Sequence, residues 1–214
     1  MDFAPIVNIP SGSGFGANNI PFGAFITPDG HQHLCTRIGD TVVDLTALDE
    51  AGFFDGPELN DMFAFQDSHL NFFMSMGRPA WKEAREWIQN IFGQFSSEDI
   101  DNPQLFWDAS YHIEDVVLRM PVEIPNYTDF YSSDHHARNV GMIFRGSDEL
   151  MPNWKQIPIG YHGRASSIVL SGEGVRRPQG MILDGDQPTF KASEKVDFEL
   201  EMGFLIGPST ELGK

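Results

Sequence analysis

The stretch "IPFGAFITPDGHQHLCTRIGDTVVDL", starting at Ile20, breaks its β-prone runs with two turn signals, "PDG" and "IGD". Such turns reverse the chain, so the segment predicts a small, mostly antiparallel β-unit over residues 20–46. "LTALDEAGFF" follows as a short helix candidate. From Ser68 to Phe92 the pattern is helical, with Trp81, Ala84, Ile88 and Ile91 on one stripe. Pro79 suits its first turn and Gly93 its stop. A stripe of this kind is read as core packing rather than as the wall of a ligand cleft. Residues 95–110 are polar and loop-like, and residues 1–19 are rich in Gly, Ser and Asn and read as extended. "VVLRMPVEIP" puts two prolines around a short run and marks a domain boundary near residue 118. The second part is β-rich with many glycines, and "SSIVLSGEGVRRP" shows β-branched runs around a Gly-Glu-Gly turn. The class expected is mainly β with α, an α+β chain.

The 214 residues include 18 Phe and four Trp, ample material for a core. The formal net charge of -17 repels phosphate backbones and anionic lipid surfaces, which argues against nucleic acid and membrane partners. The same charge suits cations. One cysteine, Cys35, can form no internal disulfide and reads as a packed thiol. No run approaches 18 apolar residues, and the N-terminus has no secretory pattern, so a soluble cytoplasmic protein is expected.

Three segments could carry chemistry. "NYTDFYSSDHHARNVGMIFRG" holds Asp129, Tyr131, Asp134, His135, His136, Arg138 and Arg145. "GYHGRASS" sets Tyr161 and His162 between glycines, which let the backbone turn tightly or approach a ligand closely. "VDFELEMGFLIG" alternates Asp197, Glu199 and Glu201 with Phe198, Leu200 and Met202, and reads as a half-buried strand with three carboxylates on one face. Carboxylates spaced so, about 6.6 Å apart at Cα, fit a solvated edge. They also fit a hard cation such as Mg²⁺ or Ca²⁺. On the residues alone both readings stay open, as does a plain turn at "GYHG".

Taken together the motifs resemble the fumarylacetoacetase family. "NYTDFYSS..HA.NVG..FRG", "PNW..IPIGYHGRASSIV.SG..VRRP.G" and "DFELEMGFLIG" match in order and approximate spacing. "IPFGAF", "IGDTVVDL" and "FMSMGRPAWKEAR" resemble the family's N-terminal domain. The resemblance covers nearly all of the chain after residue 20. It implies an SH3-like barrel domain with a helical insert over residues 1–118, then a mixed β-roll domain beginning at residue 119. It implies metal-dependent hydrolysis of 4-fumarylacetoacetate to fumarate and acetoacetate, ending tyrosine and phenylalanine breakdown, by a homodimer.

Carried over by motif, Asp129, Glu199 and Glu201 are metal ligands for Ca²⁺ or Mg²⁺. His136 is the general base, and Tyr131, Arg145 and Tyr161 are substrate-binding residues. Asp197 matches no ligand, and His135 sits where the family varies. The family's chain is about twice as long, with a fourth metal ligand, an acid beside the base and oxyanion residues beyond Lys214. The expectation is therefore an N-terminal half, inactive alone. The alternatives are a related hydrolase or decarboxylase for another diketo acid, or an inactive module for folding or dimer formation.

Overall fold

The computed structural model describes residues 7, 9–93 and 103–214. The chain divides into two compact units, one of residues 1–122 with 170–214, the other of residues 123–169.

The first unit is built on an antiparallel sheet. β1 (Phe22–Ile26), β2 (Gln32–Ile38) and β3 (Thr41–Asp44) run consecutively, as the turn signals predict. The "PDG" turn closes with Gly30 at φ 93°, and Gly39, at φ 57°, opens the two-residue turn between β2 and β3. β4 (Ser110–His112) and β5 (Val117–Arg119) return later and give the curled order β4-β3-β2-β1-β5. "VVLRMP" thus contributes an edge strand paired to β1.

Asp44 ends β3 and starts α1 (Leu45–Glu50). Its Oδ1 accepts the Ala47 N–H at 2.9 Å, an N-cap bond, while its Oδ2 lies 2.7 Å from His33 Nδ1. The carboxylate is only 2% exposed, so both contacts offset the cost of its burial. Cys35 is buried beside it; burial first, then the Asp44 charge, pushes the thiol up to about 12. It stays protonated at neutral pH, and the packed-thiol expectation holds.

The helical stretch splits in two. α2 (Asn71–Ser75) ends before Gly77, whose φ of 86° breaks the spiral, and α3 (Arg78–Gly93) follows. Ala84, Ile88 and Ile91 are buried as the stripe predicts, and Ala80 joins them. Trp81 is half-buried and donates its Nε1–H to the Phe73 carbonyl at 2.9 Å.

An aromatic cluster fills the space between sheet and helices. Phe65 is fully buried, with ring centroids 4.7 Å from Phe73, 4.9 Å from Phe54 and 6.2 Å from Phe22. The irregular loop that carries Phe65 has no ladder, and side chains satisfy its backbone instead. Asp49 accepts the Phe65 N–H, Thr46 donates to the Phe65 carbonyl, and Glu83 on α3 accepts the Glu58 and Leu59 N–H groups.

Three local expectations need correction. Residues 103–108 form a short helix, α4 (Pro103–Asp108), rather than loop, because Phe106 is buried against Phe92. The reading of residues 94–102, and of residues 1–6 and 8, lies outside the described residues. Of the second β-rich segment, "SSIVLSGEGVRRP" forms no strand; Ala165–Ser167 is a single 3₁₀ turn and Gly172 turns at φ 96°. "VDFELEMGFLIG" forms no strand either, and its apolar alternates Phe198 and Leu200 are 95% and 100% exposed. No strand pairs with it among the described residues, and an unpaired strand has no ladder to hold it. Gly207, at its end, packs so close to the Trp81 ring that a Cβ there would lie 2.6 Å from it.

The second unit contains β6 (Thr128–Phe130), α5 (Asp134–Arg145) and β7 (Gly160–His162). β8 (Gln179–Asp184) and β9 (Gln187–Ala192) form a separate hairpin in the first unit. No helix among the described residues is long and apolar enough to cross a membrane.

Candidate metal ligand and active-site residues

"NYTDF" and "GYHG" meet as the antiparallel pair β6 and β7, with Asp129 directly opposite Tyr161. The glycines of "GYHG" are explained by this approach. A Cβ at residue 160 would lie 2.6 Å from the Asp129 carbonyl oxygen, and one at residue 163 would lie 2.3 Å from the Tyr127 ring. The motif is thus more than a turn: it brings two strands together without steric cost.

The pairing gathers hydroxyls around one carboxylate. The Tyr161 hydroxyl donates to Asp129 Oδ2 at 3.0 Å, and the Tyr127 hydroxyl to the same oxygen at 3.1 Å. Tyr127 was not singled out from the sequence. The signal was present, since residues two apart on a strand share a face, and Tyr127 stands two before Asp129.

α5 begins where Ser133 accepts the His136 N–H at 3.3 Å, with Asp134 in the positive first turn. Arg138 reaches back one turn to Asp134 at 2.6 Å. This cap sets His136 against Tyr131, ring centroids 5.5 Å apart at 77°. Tyr131 is held on three sides. Its hydroxyl donates to the Ala137 carbonyl at 3.1 Å, its N–H to the Ile159 carbonyl at 2.8 Å, and its own carbonyl accepts Trp154 Nε1–H at 2.8 Å. His136 is half-buried while His135 is exposed, which separates the two adjacent histidines.

Arg145 lies in the last turn of α5, before Gly146 closes the helix at φ 69°. Its Nη2 donates to the Glu149 carbonyl at 3.2 Å. That bond uses one of five guanidinium donors. The second unit therefore brings Asp129 together with Tyr161, and His136 with Tyr131. Glu199 and Glu201 belong to the first unit, on the exposed segment without regular structure, as does Asp197.

Asp129 is half-buried and its Oδ2 is tethered by two hydroxyls, while Oδ1 takes neither of those bonds. An oriented carboxylate oxygen of this kind suits a hard divalent cation and not a thiolate-seeking metal.

Comparison with known proteins places these residues in a family. Residues 18–121 match the family Fumarylacetoacetase N-terminal, and residues 126–211 match Fumarylacetoacetate (FAA) hydrolase C-terminal. The fumarylacetoacetase of Caenorhabditis elegans is 46% identical over 213 residues, covering 97% of this chain and 50% of that protein. That of Arabidopsis thaliana is 45% identical, again over 97% of this chain and 50% of that protein. The Homo sapiens protein is 40% identical over 219 residues, covering 100% of this chain and 51% of its own length. The chain thus spans about half the length of the curated relatives it matches. It belongs to the fumarylacetoacetase family, with segments of both its N-terminal and its C-terminal domain.

Proposed function

We propose that this chain contributes to metal-dependent hydrolysis of the carbon–carbon bond of 4-fumarylacetoacetate, releasing fumarate and acetoacetate. The reaction ends tyrosine and phenylalanine breakdown. The observation that carries the proposal is the Asp129 carboxylate fixed by two hydroxyls in the same unit as the capped, ring-packed His136.

Asp129, Glu199 and Glu201 are the residues that would hold Ca²⁺ or Mg²⁺, which would supply Lewis-acid polarisation of the carbonyl under attack. His136 takes the proton from the attacking water on an imidazole nitrogen. Its packing on Tyr131 limits the ring to few orientations, so less entropy is lost in reaching the water. Arg145 offers further N–H donors to a substrate carboxylate, in the fork geometry that suits one. Tyr131 and Tyr161 wall the diketone with flat rings. In the hydrolysis water adds to the carbonyl carbon, the adjacent carbon–carbon bond breaks, and its electron pair leaves on the acetoacetate carbon as an enolate. That carbon then takes up a proton.

The finer fold assignment belongs to the same proposal. The short antiparallel strands β1–β5 support an SH3-like barrel over residues 1–118, and β6–β7 support the start of a mixed β-roll over residues 119–214. A homodimer and a cytoplasmic setting follow from the family resemblance.

The experiment is a Ca²⁺ titration by calorimetry. Asp129→Asn and Glu201→Gln are each expected to weaken binding about tenfold or more, since oxygen-ligand charge sets affinity in such sites. Affinities equal to the unaltered protein would remove these carboxylates from the ligand set.

A further inference from the structure

We propose that Tyr127 is a positioning residue for the metal-ligating carboxylate, a role that rests on the reading of Asp129 as a ligand. Its hydroxyl donates to Asp129 Oδ2 at 3.1 Å, the same oxygen that Tyr161 reaches from across the strand pair at 3.0 Å. Two donors converging on one oxygen hold the carboxylate against rotation about its terminal torsion. That torsion is otherwise broad for an aspartate. Oδ1 is then the oxygen left to face a cation, on a group already oriented.

The hydroxyl is itself held by backbone geometry. The Gly163 N–H donates to the Tyr127 carbonyl at 2.8 Å and continues the β6–β7 pairing past Thr128 and His162. The Tyr127 ring lies over Gly163 so closely that a Cβ there would sit 2.3 Å from it. Gly163 is therefore the seat of the ring, which gives the second glycine of "GYHG" a role in the site. A ring fixed in this way delivers its hydroxyl with little freedom left to lose when the cation binds. Outer partners of metal ligands commonly tune affinity about 10- to 100-fold.

The test is a Ca²⁺ titration of Tyr127→Phe in the full polypeptide, beside its thermal midpoint. Phenylalanine keeps the ring on Gly163 and removes only the hydroxyl. The dissociation constant is expected to rise about tenfold, with the midpoint nearly unchanged. Tyr161→Phe, which removes the second donor to the same oxygen, is expected to weaken binding as well. An unchanged constant in Tyr127→Phe would overturn the inference. If Tyr127→Phe does not fold, the hydroxyl is structural and the inference also fails. Asp129→Asn separates the two readings. Weakened binding there with none in Tyr127→Phe removes Tyr127 alone, whereas no effect in Asp129→Asn removes the ligand assignment beneath it.

Discussion

Replacing His136 with alanine is expected to lower kcat for cleavage of 4-fumarylacetoacetate by about 10²- to 10⁴-fold, the usual contribution of a positioned general base. The Ca²⁺ dissociation constant should stay unchanged, because His136 is assigned to the water and not to the cation. The two readouts must be taken on the full polypeptide. His136 sits in the first turn of α5 with its N–H on the Ser133 hydroxyl, and an alanine keeps that backbone bond. The loss should therefore not be one of folding. Retained turnover would remove His136 from the role of base. Lost Ca²⁺ binding would move it to the ligand set. His135 supplies the internal control: it is exposed one residue away, and His135→Ala should leave kcat within about twofold, as expected of an exposed side chain away from the chemistry.

The second large effect is on stability. Phe65→Ala is expected to cost about 3–5 kcal/mol, the range for emptying a buried aromatic site. The ring is fully buried and packs on Phe22, Phe54 and Phe73, so no single neighbour can collapse into the space. Its backbone is also anchored through Asp49 and Thr46, which prevents the loop from moving in to fill the cavity. Urea unfolding of the variant and the unaltered chain, read by circular dichroism, measures the difference. A loss below about 1 kcal/mol would mean that the loop relaxes and that the aromatic cluster is not the core's centre.

How much of this was legible in the sequence depends on how local the cause is. β1–β3 could be read directly because "PDG" and "IGD" each act within a few residues. The stripe on α3 was legible for the same reason. α4 was not, because its short run has no helical stripe of its own and is held by one buried ring, Phe106, whose partner Phe92 lies on another helix. The strand expected at "VDFELEMGFLIG" failed for a different reason. Alternation states which faces a strand would have, but not which strand pairs with it, and none does among the described residues.

The site shows the same division. Asp129, His136 and Tyr161 were named from motifs, and the structure sets Asp129 beside Tyr161 through the register of β6 and β7. Tyr127 carries no charge, and no motif assigns it a role. It emerged only once the strand pair placed its hydroxyl on Asp129. The two glycines of "GYHG" read as a turn from sequence, because a close approach of two backbones cannot be seen from one of them.

Product analysis tests the central claim most directly. The full polypeptide that carries this sequence is incubated with 4-fumarylacetoacetate and Ca²⁺, and the products are separated and identified. Equal amounts of fumarate and acetoacetate, appearing with the polypeptide and abolished by chelation, are the expected result. Decarboxylated product, or an untouched substrate alongside turnover of another diketo acid, would contradict it.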